Sequence, residues 1–264
     1  MNAMSSRVPP AAPSPAPATG ELRLCGLAAV RARFQRDPGS FQRLYFDAAT
    51  GRKIGVLCRV LAQGKRIYRQ VTSEELERIA GSVHHGGIVA VVTPPAVRPV
   101  TAEVVAGWAR EGARVLLLEG IGNAHNLGAI VRTAAFLGLP HLVLAGDAAA
   151  AQPNDAAHRV AEGGFEHVAL WRATDLPGLI GQLKVAGGEV TGAATRGGVV
   201  RPGSRVAGRS LRAVALGNEE NGLSPATAAA CSQRVTLPGS GRVESLNVSV
   251  AAALMIWEYL RSSK

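Results

Sequence analysis

Five polar or charged side chains lie where chemistry could be built, close behind short apolar runs of this 264-residue chain: Asn126, Arg132, Glu219, Ser245 and Asn247. Leu127, Ile130, Val131, Ala134 and Leu137 recur at helical spacing, which predicts a helix starting near Asn126, a residue type suited to the N-cap. Arg132 follows six residues later, about 9 Å along the axis at 1.5 Å per residue. Helical side chains lean back toward the N-terminus, so its guanidinium can approach the Asn126 end. Free amides and the helix dipole there suit an anion, and a phosphate is the sensible ligand. The plainer alternative is a capping asparagine and a solvated arginine. Glu219 sits in Leu216-Gly-Asn-Glu-Glu-Asn-Gly-Leu-Ser-Pro225, a glycine-containing loop after an apolar run, with Ser224 and Pro225 as cap and first-turn residue of another helix. Such a loop lets a ligand approach the backbone; Glu219 and Glu220 either hold a hydroxyl or cationic group or are ordinary solvated acids. Ser245-Leu-Asn-Val-Ser249 stands at the mouth of an almost wholly apolar stretch, 248–257. Ser245 is expected as its cap, and Asn247 and Ser249 either serve a ligand or satisfy local backbone groups.

Positioning these groups requires a frame. The runs 114–118, 141–145, 167–170, 189–193 and 213–216 are short and apolar, and helical stretches such as 127–137 and 176–186 separate them. Strands alternating with helices imply a mostly parallel sheet covered on both faces, with ligands bound beyond the carboxyl ends of the strands. Gly120-Ile-Gly122 follows a strand, but no third glycine stands near His125, so the pattern does not make a dinucleotide site. An oxidoreductase is disfavoured on that ground.

Upstream, 24–34 and 53–63 suit helices, and 44–47 and 88–92 suit buried strands. The reading is therefore α/β throughout: an Ala/Pro-rich, disordered arm over 1–20, a small α/β module over 21–93, a proline-punctuated linker over 94–110 and a larger α/β domain over 111–264. No apolar run reaches the 18 to 20 or so residues of a membrane span, and no secretory signal pattern opens the chain. Three scattered cysteines give neither a disulfide framework nor metal spacing, which points to a reducing cytoplasm and no metal. The formal charge is +10, and residues 21–93 hold 12 Lys and Arg against 6 Asp and Glu. Such an excess suits a polyanion, RNA or DNA first.

Taken together, three segments resemble the SpoU, or TrmH-like, branch of the SPOUT methyltransferases. They are His125-Asn-Leu-Gly-Ala-Ile-Val-Arg-Thr133, Leu216-Gly-Asn-Glu-Glu-Asn-Gly-Leu223 and Leu237-Pro-Gly-Ser-Gly-Arg-Val-Glu-Ser-Leu-Asn-Val-Ser249. Cys25-Gly-Leu-Ala-Ala-Val30 and His85-Gly-Gly-Ile-Val-Ala90 are similar to the ribosomal-protein-like substrate-binding domain that precedes the catalytic domain in many members, while Gly87 and Glu162-Gly-Gly164 depart from the usual family sequence. The resemblance implies an α/β SPOUT domain with a deep trefoil knot, S-adenosyl-L-methionine as cofactor, a homodimer, and methylation of a ribose 2′-hydroxyl in tRNA or rRNA. It implies cofactor contacts at Leu216, Gly217, Leu237, Leu246 and Asn247. By the same resemblance Asn126 positions the ribose or a phosphate, Arg132 assists the hydroxyl, and Glu219, Ser245 and Asn247 complete the site. Arginine is effectively always protonated, so an electrostatic role for Arg132 is expected in place of a general base. The competing reading is a non-catalytic RNA-binding or ribosome-assembly protein on the same fold.

Overall fold

A computed structural model describes residues 20–145, 152–200 and 210–260. Most of the expected N-terminal arm lies outside them. Two sheets organise the chain. The smaller carries β1 (Leu22–Cys25), α1 (Leu27–Arg36), β2 (Phe41–Phe46), α2 (Ala48–Gly51), α3 (Gly55–Gln63), β3 (Ile67–Gln70), α4 (Ser73–Ala80) and β4 (Ile88–Val92), with strand order β1-β4-β2-β3. The helix expected over 24–34 begins later, because residues 22–25 pair antiparallel with β4 and Gly26, at φ 88°, breaks the chain before α1. Asp47, expected within a strand, instead caps α2 by accepting the Thr50 amide proton.

The larger unit contains β5 (Arg98–Pro99), α5 (Ala102–Glu111), β6 (Arg114–Leu118), α6 (Ala124–Phe136), β7 (His141–Ala145), α7 (Asp155–Ala161), β8 (Ala169–Ala173), α8 (Leu176–Val185), β9 (Glu189–Ala193), β10 (Arg212–Leu216), α9 (Pro225–Ala230), β11 (Gln233–Val235) and α10 (Val248–Met255), which runs on into a π-helical turn at 256–260. The expected linker over 94–110 is thus partly a strand and a helix. Thr101 caps α5, and β5 joins the larger sheet beside β8, where the Arg98 guanidinium lies 5.6 Å from the Trp171 ring centre.

All seven strands of the larger sheet run parallel, in the order β11-β9-β10-β6-β7-β8-β5. Alternate residues face opposite layers, so β6 sends Leu116 and Leu118 toward α6, α7 and α10, and Val115 and Leu117 toward α5 and α8. Burial on both faces is why such strands read as continuous apolar runs. From β6 the chain moves outward through β7 and β8, then returns to build β9 and β10 on the other side. The switch point falls between β6 and β10, and open α/β sheets offer ligand crevices at such points. Among the described residues no helix is long and apolar enough to cross a membrane.

The two sheets meet through α1, β1, α7 and the turn at 164–166. Arg33, 4% exposed, pairs with buried Glu166 at 3.3 Å and also donates to Ser40 Oγ, Asp37 and the Thr93 carbonyl. The Arg23 side chain pairs with Asp155 at 3.2 Å, while its backbone amide donates to the same carboxylate at 3.0 Å.

Candidate functional site

The loops following β6, β10 and β11 converge at the switch point. Leu216 ends β10, and its carbonyl accepts the Glu119 amide proton at 2.9 Å, tying the first loop to the second. The second loop doubles back sharply: Asn218 and Gly222 exchange backbone hydrogen bonds at 3.0 and 2.9 Å. A Cβ on Gly217 would run into the Gly222 backbone, so the reversal needs glycine at 217. Glu119 holds the far side, its carboxylate accepting from the Ser224 amide and hydroxyl at 2.8 and 2.9 Å and from the Thr227 hydroxyl at 2.5 Å. Ser224 and Pro225 open α9 as the sequence predicts.

Beside the loops after β10 and β11 lies a cavity of about 200 Å³. Its walls come from the end of β9, the 216–222 loop and the 235–251 segment, including Leu216, Gly217, Leu237, Ser245 and Leu246, with Glu219 and Glu244 supplying carboxylates. At the rim a chain of side-chain hydrogen bonds links all three loops. Asn247 caps α10: its Oδ1 accepts from the Ser249 amide at 2.8 Å and the Ser249 hydroxyl at 2.6 Å. Its Nδ2 is thereby left to donate, and it does so to Asn126 Oδ1 at 3.1 Å. Asn126 Nδ2 donates in turn to Glu219 Oε1 at 2.8 Å, and Glu219 Oε2 accepts from the Gly122 amide at 3.3 Å. The cap fixes the polarity of the whole chain, since one amide orientation at Asn247 dictates the next.

Three expectations change here. Asn126 is not the cap of α6; Asn123 is, accepting the His125 amide proton at 2.7 Å, which frees Asn126 for its lateral bonds. Ser245 does not cap α10, because the helix starts only after Asn247. Arg132 does not lean toward Asn126 but pairs with Glu162 at 3.0 Å. Glu162 ends α7 in the left-handed region, at φ 47°. It comes within reach because α6 and α7 pack with almost no gap, and a Cβ on Gly128 would collide with the Ala157 carbonyl. The structure therefore groups Asn126, Glu219 and Asn247, sets Leu216, Gly217, Leu237, Ser245 and Leu246 on the cavity, and holds Arg132 to the side. Sequence reasoning missed Glu119 and Asn218, whose Nδ2 donates to the Gly120 carbonyl at 2.8 Å. Their positions directly after β6 and β10 were the available signal.

A parallel sheet with a cavity and a polar relay at its switch point defines a ligand-binding α/β protein. Residues 113–257 match the SpoU rRNA Methylase family, and residues 23–97 match the family described as RNA 2′-O ribose methyltransferase substrate binding. The chain belongs to the SpoU methylase family. It is 34% identical over 241 residues to the 23S rRNA (guanosine-2′-O-)-methyltransferase RlmB of Bordetella pertussis, covering 90% of this chain and 96% of that protein. It is 30% identical over 247 residues to the Uncharacterized tRNA/rRNA methyltransferase YfiF of Escherichia coli O157:H7, covering 92% and 69%. Among solved structures, a TrmH-family putative RNA methyltransferase from Porphyromonas gingivalis superposes with a TM-score of 0.69 at 24% identity, over 91% and 90% of the two chains. An AdoMet-bound rRNA methyltransferase from Sinorhizobium meliloti gives 0.71 at 22% identity, over 90% and 86%. These two structures share the fold.

Proposed function

We propose that this chain is an S-adenosylmethionine-dependent methyltransferase acting on a ribose 2′-hydroxyl of structured RNA, with large-subunit rRNA as the substrate. The observation that carries this reading is a cavity lined by the second and third family motifs, to which Asn126 of the first motif is tied by the Asn247–Asn126–Glu219 relay. The cavity suits the cofactor chemically: Leu216, Leu237 and Leu246 offer apolar surface to an adenine ring, and Glu219 and Glu244 offer negative charge to a cationic ligand. When bound, the cofactor supplies an activated methyl group on a sulfonium. The protein's part is alignment, because displacement at the methyl requires oxygen, carbon and sulfur in line. Asn126, held at both ends of its amide, orients the ribose or its phosphate. Arg132 moves from Glu162 to the RNA when a phosphate offers it a second anionic partner, and it stabilises the developing alkoxide. The proton lost by the hydroxyl would pass to water or to the neighbouring phosphate, since Arg132 is already protonated. The names carried by the RlmB relatives favour ribosomal RNA over tRNA as substrate.

The same reading includes a homodimer, a trefoil knot and a cytoplasmic location. Val250, Leu254 and Trp257, each roughly half exposed, recur at spacings of four and three along α10 and the π-helical turn that follows it, a face suited to a second copy. For the knot, the supporting feature is the path: the chain leaves β10, lays β11 beyond β9, then returns past the 216–222 loop to place α10 against α6 and β10. The activity is tested by incubating the purified chain with isotopically labelled cofactor and unmodified large-subunit rRNA, then digesting the RNA to nucleosides. Label in a 2′-O-methylnucleoside is the expected result; label on a base, or none, would overturn the proposal.

A further inference from the structure

The smaller sheet has two edges with opposite fates. β1 is covered by α7, which it meets through Arg23 and Asp155. β3 is the outer edge, paired on one side only with β2. At about 4.8 Å per strand, it stands some 14 Å farther from the methyltransferase domain than β1 does. An uncovered edge is ordinarily a liability that short strands or charges blunt. Here every residue from 62 to 70 is exposed, including Ile67 and Tyr68, at 57% and 43%. The preceding helix α3, packed beside β3, also exposes Val56 and Val60.

Charge is one-sided along the chain up to the start of α4, which opens with Glu74 and Glu75. Residues 48–73 contain Arg52, Lys53, Arg59, Lys65, Arg66 and Arg69 and no acidic residue. Arg69 pairs with Glu75 at 3.6 Å; the other five form no ion pair among the described residues. Lys65 takes φ 54° at the turn between α3 and β3, with its amide donating to Ala62 and the next amide to Leu61. That conformation favours glycine, so a lysine there places a cation at the tip of the turn at some cost to the fold.

Resting on the methyltransferase reading above, we propose that the β3 edge and the adjoining turn dock unpaired nucleotides of the RNA substrate. Tyr68 stacks on a base and Lys65 and Arg66 hold the flanking phosphates. Exposed aromatic surface bordered by cations is what single-stranded RNA segments recognise, and a purely protein partner would not call for five unpaired cations. The surface is remote from the cavity, so it selects RNA long enough to reach both.

The test uses the full-length protein and an in vitro transcript of large-subunit rRNA, with cofactor affinity measured in parallel. The triple variant K65G/R66A/Y68A should bind the transcript at least roughly 30-fold more weakly, since each stacked base contributes about 1–3 kcal/mol and each phosphate contact adds to that. The slope of log affinity against log salt should shrink by roughly 1.4, from two lost contacts at about 0.7 each. K65G alone should weaken RNA binding while the melting temperature holds or rises, which separates docking from folding. Cofactor affinity should not change. If the wild type binds the transcript and the variants bind it equally well, the docking surface is wrong. If the wild type does not bind RNA at all, the methyltransferase reading itself fails. Variants that change oligomeric mass but leave RNA affinity intact would make the edge a protein interface and would also overturn the proposal.

Discussion

His158 makes the contact between the two sheets sensitive to acid. It is 3% exposed on α7, its ring stacked on Phe165 with centroids 4.1 Å apart. Burial chiefly, with the nearby Arg33 guanidinium acting in the same direction, pushes its pKa from 6.5 down to about 3. A histidine that stays neutral in the folded chain but charges near its ordinary pKa when unfolded makes the unfolded state bind more protons at low pH. Its effect on stability is therefore absent well above pH 6.5 and grows as pH falls toward about 3. At 1.36 kcal/mol per pH unit the full gap is worth about 5 kcal/mol, of which about 2 kcal/mol has been lost by pH 5. His158→Phe keeps an aromatic ring against Phe165 and removes the titration. Urea unfolding of both proteins at pH 7 and pH 5 isolates the effect, because any packing difference is common to both pH values. The wild type should lose about 2 kcal/mol more than the variant between those pH values. Parallel losses would refute the assignment of a buried neutral imidazole.

Other perturbations test separate parts of the molecule. Glu166→Ala removes the buried carboxylate from Arg33, which keeps Asp37, Ser40 and the Thr93 carbonyl, and should cost about 1.5–3 kcal/mol in urea unfolding, whereas Arg33→Met with Glu166→Leu should recover much of it. Gly217→Ala forces a methyl into the Gly222 backbone and should weaken cofactor binding at least roughly tenfold by calorimetry, that is by more than about 1.4 kcal/mol. Asn247→Ser retains a capping oxygen but loses the donor to Asn126, so helix stability should hold while turnover falls; Asn247→Ala should lose both, with about 1 kcal/mol of stability. Arg132→Ala should abolish methyl transfer with cofactor affinity intact, and Glu162→Gln, which frees the same guanidinium, should keep turnover and lower the KM for RNA.

Elements that were legible in the sequence share a cause. The strands at 88–92, 114–118, 141–145 and 189–193 are apolar runs bounded by breakers, and burial on both faces preserves that signal. β3 carries no such signal, because Ile67–Gln70 is exposed throughout and alternates nothing. The helix caps were misread by a few residues for a local reason. Asn123 and Asn126 lie within one turn, as do Ser245 and Asn247, and only the backbone path decides which of two suitable side chains faces the free amides. The cavity-lining residues came from motif resemblance, not from spacing. The pairing of Arg132 with Glu162 was illegible because it depends on how closely α7 rides on α6, a contact set by Gly128 and Gly164 against backbone thirty residues away.

The cavity at the end of β10, with the polar relay at its rim, serves methyl transfer to a ribose in RNA. A 2′-O-methyl group blocks alkaline cleavage at its own nucleotide, so total RNA from cells lacking the gene can be compared, position by position, with RNA from the parent. One ribose methyl should vanish from large-subunit rRNA and return when the wild-type gene is restored, but not when Asn126→Ala is supplied. A cleavage pattern identical in both strains, or full restoration by Asn126→Ala, would contradict the account.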